Sequence, residues 1–139
     1  MNRPGRSAFD VVKRIGLTLP DVEAASRYDG SPALKIAGVF MACLATHRSA
    51  EPNTLVVRAD LEERSLFIDD APDTYYLMDH YRQYPVVLVR LERITDEALR
   101  ELLRSSHRLT MPKTRLRHRH LRRMSPRFGR MDSRKDVSG

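Results

Sequence analysis

A chain of 139 residues, 41% hydrophobic and 31% charged, has room for one domain with a real core but not for two ordinary domains and a linker. Its single cysteine, Cys43, excludes an intramolecular disulfide framework and any Cys-based zinc cluster made by this chain alone. The net charge of +7 is unevenly placed: residues 113–139 hold 10 Lys/Arg and 2 Asp/Glu, a balance of +8, and the other 15 Lys/Arg and 16 Asp/Glu leave residues 1–112 at −1.

A basic pI therefore describes the last segment and not the folded part. The division expected is a domain over residues 1–112 and a flexible, Arg-rich tail over 113–139. No basic stretch followed by an apolar one opens the chain, and no run approaches the roughly 20 apolar residues of a membrane helix, so the expected compartment is the cytoplasm, with no membrane partner.

In chain order, Ala8, Val11, Val12 and Ile15 recur on one helical face, which predicts a first helix from about Ala8 to Leu17, closed before Pro20. Asp21 to Arg27 is polar and carries no clear period. Asp29, Gly30, Ser31 and Pro32 supply a turn, and Ala33–Ala37 and Val39–Ala45 on either side of Gly38 read as a β-hairpin. Thr46–Asn53 is a loop by composition and Thr54–Ala59 another strand. Asp60 is placed to cap a helix through about Ile68, stopped by Asp69, Asp70, Ala71 and Pro72.

Val86–Leu91 is β-branched-rich and reads as a central strand. Thr95 then caps a helix whose first turn holds Asp96 and Glu97, with Ile94 and Leu99 as a hydrophobic staple. Leu99, Leu102 and Leu103 share the face laid on the sheet, and Arg100, Glu101 and Arg104 face solvent. The order α-β-β-β-α-β-α gives an α+β domain, an antiparallel sheet with helices mainly on one face.

Several stretches together carry a resemblance: Phe9-Asp10-Val11, Leu19-Pro20-Asp21-Val22-Glu23, Ser31-Pro32-Ala33-Leu34-Lys35-Ile36, Leu55-Val56-Val57-Arg58, Ala71-Pro72-Asp73-Thr74-Tyr75-Tyr76, and Val87-Leu88-Val89-Arg90-Leu91 followed by Asp96 to Leu103. In order and spacing, over roughly residues 8 to 110, the chain resembles the MmcQ/YjbR family of small bacterial proteins. The resemblance implies a fold with a double-wing DNA-binding arrangement. One departure stands out: where relatives commonly carry a glycine and a tryptophan entering the last strand, this chain has Tyr84, Pro85 and Val86.

On the double-wing reading, the cations available at hairpin tips are Lys35, His47, Arg48 and Arg58, each of which is equally a surface residue near Glu51 and Asp60. The tail adds Lys113, Arg115, Arg117, Arg119, Arg122 and Arg123, with His118 and His120 between them, a segment suited either to nucleic-acid phosphates or to solvation. Its Leu116, Leu121 and Met124 make no continuous apolar stripe. The expected partner is DNA, bound with low sequence specificity, since arginines on phosphates do not read bases.

An alternative is a small-molecule or protein-binding surface formed by Tyr76, His80, Tyr81 and Tyr84, whose spacing would place rings along a helical segment; such rings also cap core edges. For catalysis the signals are poor: Asp69, Asp70, Asp73, Asp79 and His80 match no metal-ligand spacing, Cys43 has no neighbouring base beyond His47, and no nucleophile elbow or phosphate-binding glycine loop is present. No cofactor, metal or catalytic residue is expected.

Overall fold

In the computed structural model, the backbone is described for residues 5–123 and the side chains for residues 8–112. The first helix, α1 (Gly5–Gly16), buries Phe9, Val12 and Ile15 and leaves Lys13 and Arg14 exposed. At its end Gly16 lies so close to Leu34 that a Cβ would come within 2.5 Å of Leu34 Cδ1.

Next comes β1 (Val22–Ser26), in the stretch whose sequence has no period. An edge strand of small and polar residues, half out of the core, shows no alternation to read; its pairing with the next strand makes it a strand. β2 (Pro32–Ile36) and β3 (Val39–Leu44) follow.

Both hairpin turns have definite chemistry. Between β1 and β2 the Arg27 N–H donates to Ser31 O at 2.8 Å and the Gly30 N–H to Arg27 O at 2.9 Å, with Gly30 at φ +86, the three-residue loop with a left-handed glycine. Asp29 Oδ1 accepts the Ser31 N–H and hydroxyl at 3.0 and 2.7 Å. Between β2 and β3, Ala37 and Gly38 both have positive φ, +50 and +81, as a two-residue turn of this kind requires.

The β2–β3 register shifts after Leu34: Leu34 pairs with Ala42 and Lys35 with Phe40. Met41 is the extra residue of a β-bulge, and both Met41 and Ala42 join the same core.

β4 (Thr54–Arg58) leads to α2 (Leu61–Asp70), where Asp60 holds the cap position without a side-chain cap hydrogen bond. The tyrosine-rich segment is not helical. It forms β5 (Tyr75–Tyr76), a 3-10 turn at Asp79–Tyr81 and a crossing to β6 (Val86–Arg90). Tyr75 and Tyr76 pair with Val89 and Leu88, and ladder bonds to β6 override any helical spacing of the rings.

The last helix, α3 (Asp96–Arg123), starts on the expected cap: the Ala98 N–H donates to Thr95 Oγ1 at 3.1 Å. It continues through Pro112 to Arg123, beyond the last leucine that touches the sheet. Arg, Leu and Lys are good helix formers, so the backbone stays helical there without an apolar stripe.

The six strands form one antiparallel sheet in the order β1-β2-β3-β4-β6-β5. One face carries the helices, with Leu34, Ile36, Leu55, Val57, Val87 and Val89 against Phe9, Val12, Ile15, Leu99, Leu102 and Leu103. α2 adds Phe67 and Ile68 at its margin. The α+β class with helices on one face is what the chain adopts, with β1 and β5 added to the expected strands. No described helix is long and apolar enough to cross a membrane.

Candidate functional site

The second face of the sheet has no helix. Strand alternation puts Ala33, Cys43, Val56, Val86 and Leu88 there, and the segment from Leu77 to Tyr84 and the loop after β3 close over them. Tyr76 and Tyr81 are 8% and 9% exposed. The Tyr76 hydroxyl accepts the Glu51 N–H at 2.8 Å and lies 2.6 Å from Thr54 Oγ1. These two rings are structural elements of a small second core.

Arginines fasten this cover. Arg90 makes a bidentate pair with Glu51, Nε and Nη2 each at 2.9 Å. Its Nη1 donates to Pro72 O and Asp73 O, and its Cζ sits 4.2 Å from the Tyr76 ring centroid. The hydrogen bonds from Arg90 hold the Glu51 carboxyl below its ordinary range. Arg64 Nη1 donates to the carbonyls of Arg82, Tyr84 and Val86, so one guanidinium on α2 ties down the Tyr84-Pro85-Val86 entry to β6. Tyr84 itself is half-buried against the second core.

The site residues expected from sequence separate into two places. Arg58 is 5% exposed; its Nε donates to Phe40 O at 2.9 Å and its Cζ stands 5.4 Å from the Phe40 ring. Lys35 pairs with Phe40 across β2–β3 and with Glu23 across β1–β2. Both therefore lie on the strands beside Phe40 and not at a hairpin tip. His47 and Arg48 do lie on a loop, between β3 and β4.

His47 stacks on His80, ring centroids 3.6 Å apart and planes 13° apart, with Tyr81 edge-on to both. His47 Nδ1 accepts the Ser49 N–H at 3.1 Å, which requires that nitrogen to be unprotonated. Burial of the ring, then the charges of His80 and Arg48, lower the His47 pKa from its ordinary 6.5. His47 is thus held neutral and occupied in the loop, and Arg48 is exposed beside it.

No sequence pattern singles out Arg27. Its Nη1 reaches Cys43 Sγ at 3.7 Å, and burial pushes that thiol up, with Arg27 acting against it. Cys43 is a core thiol. Among the described residues no three His, Cys, Asp or Glu side chains form a metal-sized group, and no buried side-chain nitrogen or oxygen lacks a hydrogen-bond partner. The second face as a whole interleaves Arg27, Lys35 and Arg48 with Glu23, Asp29 and Glu51. Among the described residues its charges are of both signs.

A model of the YjbR family, described as YjbR, matches residues 17–109. The chain belongs to the YjbR family. Neither a curated protein nor a solved structure matches it. The YjbR match takes in all six strands, α2 and α3 up to Leu109, and leaves out α1 and everything after Leu109. The candidate cations Lys113, Arg115, Arg117, Arg119, Arg122 and Arg123 thus lie outside the family match, and their side chains lie outside the described residues.

Proposed function

We propose that this YjbR-family protein binds DNA with low sequence specificity, chiefly through the basic segment joined to its last helix. The observation that supports this most is the segregation of charge. A domain of net −1 is followed by 27 residues of net +8, and the backbone runs from one into the other as a single helix to Arg123. A near-neutral domain gains little from phosphates at physiological salt, whereas six cations in residues 113–123 release several counterions on binding.

The loop carrying His47 and Arg48, with Lys35 on the strand face, is a secondary contact in this reading. Arg58 and the neutral His47 have other occupations, which leaves Arg48 as the loop cation and Lys35 as a cation of the strand face. A ligand surface built from Tyr76, His80, Tyr81 and Tyr84 has less in its favour, because two of the four rings are closed into the second core.

The test is a titration of the full chain against duplex DNA across a salt series, beside a variant with the six cations of residues 113–123 replaced by glutamine, which keeps helix propensity. The expected slope of log affinity against log salt falls by up to about 5 on loss of six phosphate contacts. Equal slopes for the two proteins, or affinity indifferent to salt, would sink the reading.

A further inference from the structure

The two edges of the sheet differ. β5 is two residues long, whereas β1 presents five, VEAAS, with none of the proline, lysine or bulge that natural edge strands use to prevent pairing. The register fixes which backbone groups it offers. Both the N–H and the C=O of Arg27 are turned inward to the β1–β2 turn, and hydrogen-bonded pairs alternate along an antiparallel ladder. Ala25 and Glu23 therefore bond to Ala33 and Lys35, their register partners, and the C=O of Val22 and the N–H and C=O groups of Ala24 and Ser26 point out from the sheet, while the Val22 N–H donates to Leu19 O at 3.5 Å. Pro32 opposite Ser26, with no N–H to give, fits this parity.

The helix layer stops short of this edge. α1 packs on β2, and an open groove of about 460 Å³ runs between it and β1, walled by Phe9, Asp10 and Lys13 on the helix and Ala24, Ala25 and Ser26 on the strand. Ala24 is exposed although its register partner, Leu34, is core on the helix face.

We propose that β1 is the interface of a two-fold homodimer, in which it pairs antiparallel with β1 of a second copy about Ala24. The outward groups then meet in the required phase: Ala24 exchanges two hydrogen bonds with the partner's Ala24, and the Ser26 N–H donates to the C=O of the partner's Val22. In the same register Glu23 faces the partner's Ala25, so no like charges are opposed. The small side chains of Ala24 and Ser26 fit the groove beside the other copy's α1. Each groove wall carries one acid and one base, Asp10 and Lys13, which sum to zero, so that a two-fold axis sets two acids against two bases. A charged foreign peptide would gain nothing from such a wall, whereas a second copy complements it.

The proposal does not rest on the DNA reading and is tested without DNA, by sedimentation equilibrium of the nuclease-treated full chain with amide hydrogen exchange. The wild type is expected to be a dimer, with the Ala24 and Ser26 amides more protected as concentration rises. Ala24→Pro removes an outward N–H and keeps the β1–β2 ladder, so a folded monomer is expected. Should that variant not fold, the surface pair decides. Asp10→Lys takes the four groove charges of the dimer from zero to +4 and is expected to weaken dimerisation about tenfold or more, and adding Lys13→Asp to it restores the balance and most of the affinity. A monomeric wild type at about 100 μM overturns the proposal, since specific dimers of standard size are far tighter. A dimer insensitive to every one of these substitutions, or one that ignores the charge swap, overturns it as well.

Discussion

Ala37 is an alanine in a place that suits glycine or asparagine. Its φ of +50 carries the left-handed cost of an L side chain, and Gly38 beside it carries none. Ala37→Gly is expected to raise unfolding free energy by about 0.5–1 kcal/mol in urea denaturation, a gain that lies in the turn and leaves every core contact unchanged. His47 makes the opposite case, a titratable side chain whose surroundings choose its state. Its pKa lies below the ordinary 6.5, so as pH falls the unfolded chain takes up the proton before the folded one does. The stability contribution is full above about 6.5 and is lost as pH drops through the range below it. His47→Phe keeps a ring against His80 and is expected to flatten the decline in melting temperature between neutral and mildly acidic pH. The arginines teach the same lesson: Arg58 and Arg90 look alike in sequence, yet one stacks on Phe40 and the other clamps Glu51.

At the level of elements, α3 is seated by more than its leucines. The β-bulge leaves Met41 without a strand partner, and the hydroxyl of Ser106, fully buried on α3, donates to Met41 O at 3.1 Å. Thr110 Oγ1 donates back to Ser106 O at 2.8 Å. A bulge on β3 and a polar pair on α3 thus fit one another, which explains hydroxyls on an otherwise apolar helix face. Ser106→Ala is expected to cost about 1–2 kcal/mol by leaving that carbonyl short of a buried partner, measured by chemical denaturation, with the secondary structure unchanged by circular dichroism. The leucine period made α3 legible, and so did its Thr95 cap. β1 was illegible because an edge strand of alanines and charges has no buried face to impose a period. The tyrosines of β5 and the 3-10 turn misled for a related reason: their spacing fits a helix in projection, but the Tyr76 hydroxyl is spent on Glu51 and Thr54, partners 25 and 22 residues away in the chain.

For the whole molecule, the helices cover one face of the sheet, loops pinned by Arg64 and Arg90 cover much of the other, and the charge lies mostly beyond the sheet on the continuation of α3. A dimer through β1 would extend that sheet across two copies through residues other than the six cations of 113–123. DNA binding and dimerisation would then be separable: the glutamine variant of residues 113–123 is expected to keep the dimer, and Ala24→Pro to keep salt-dependent DNA binding at a shallower slope. What the sequence determined by itself was whatever depends on local order: the apolar periods of α1 and α3, the hairpin turn at Gly38, the cap at Thr95, the separation of charge and the resemblance to the YjbR family. What the tertiary structure decided was the fate of individual polar groups. Whether a cation is a phosphate ligand or a clamp, whether a ring faces solvent or closes a core, and which backbone groups are left at an edge all depend on contacts between residues far apart in the chain, and no local pattern encodes them.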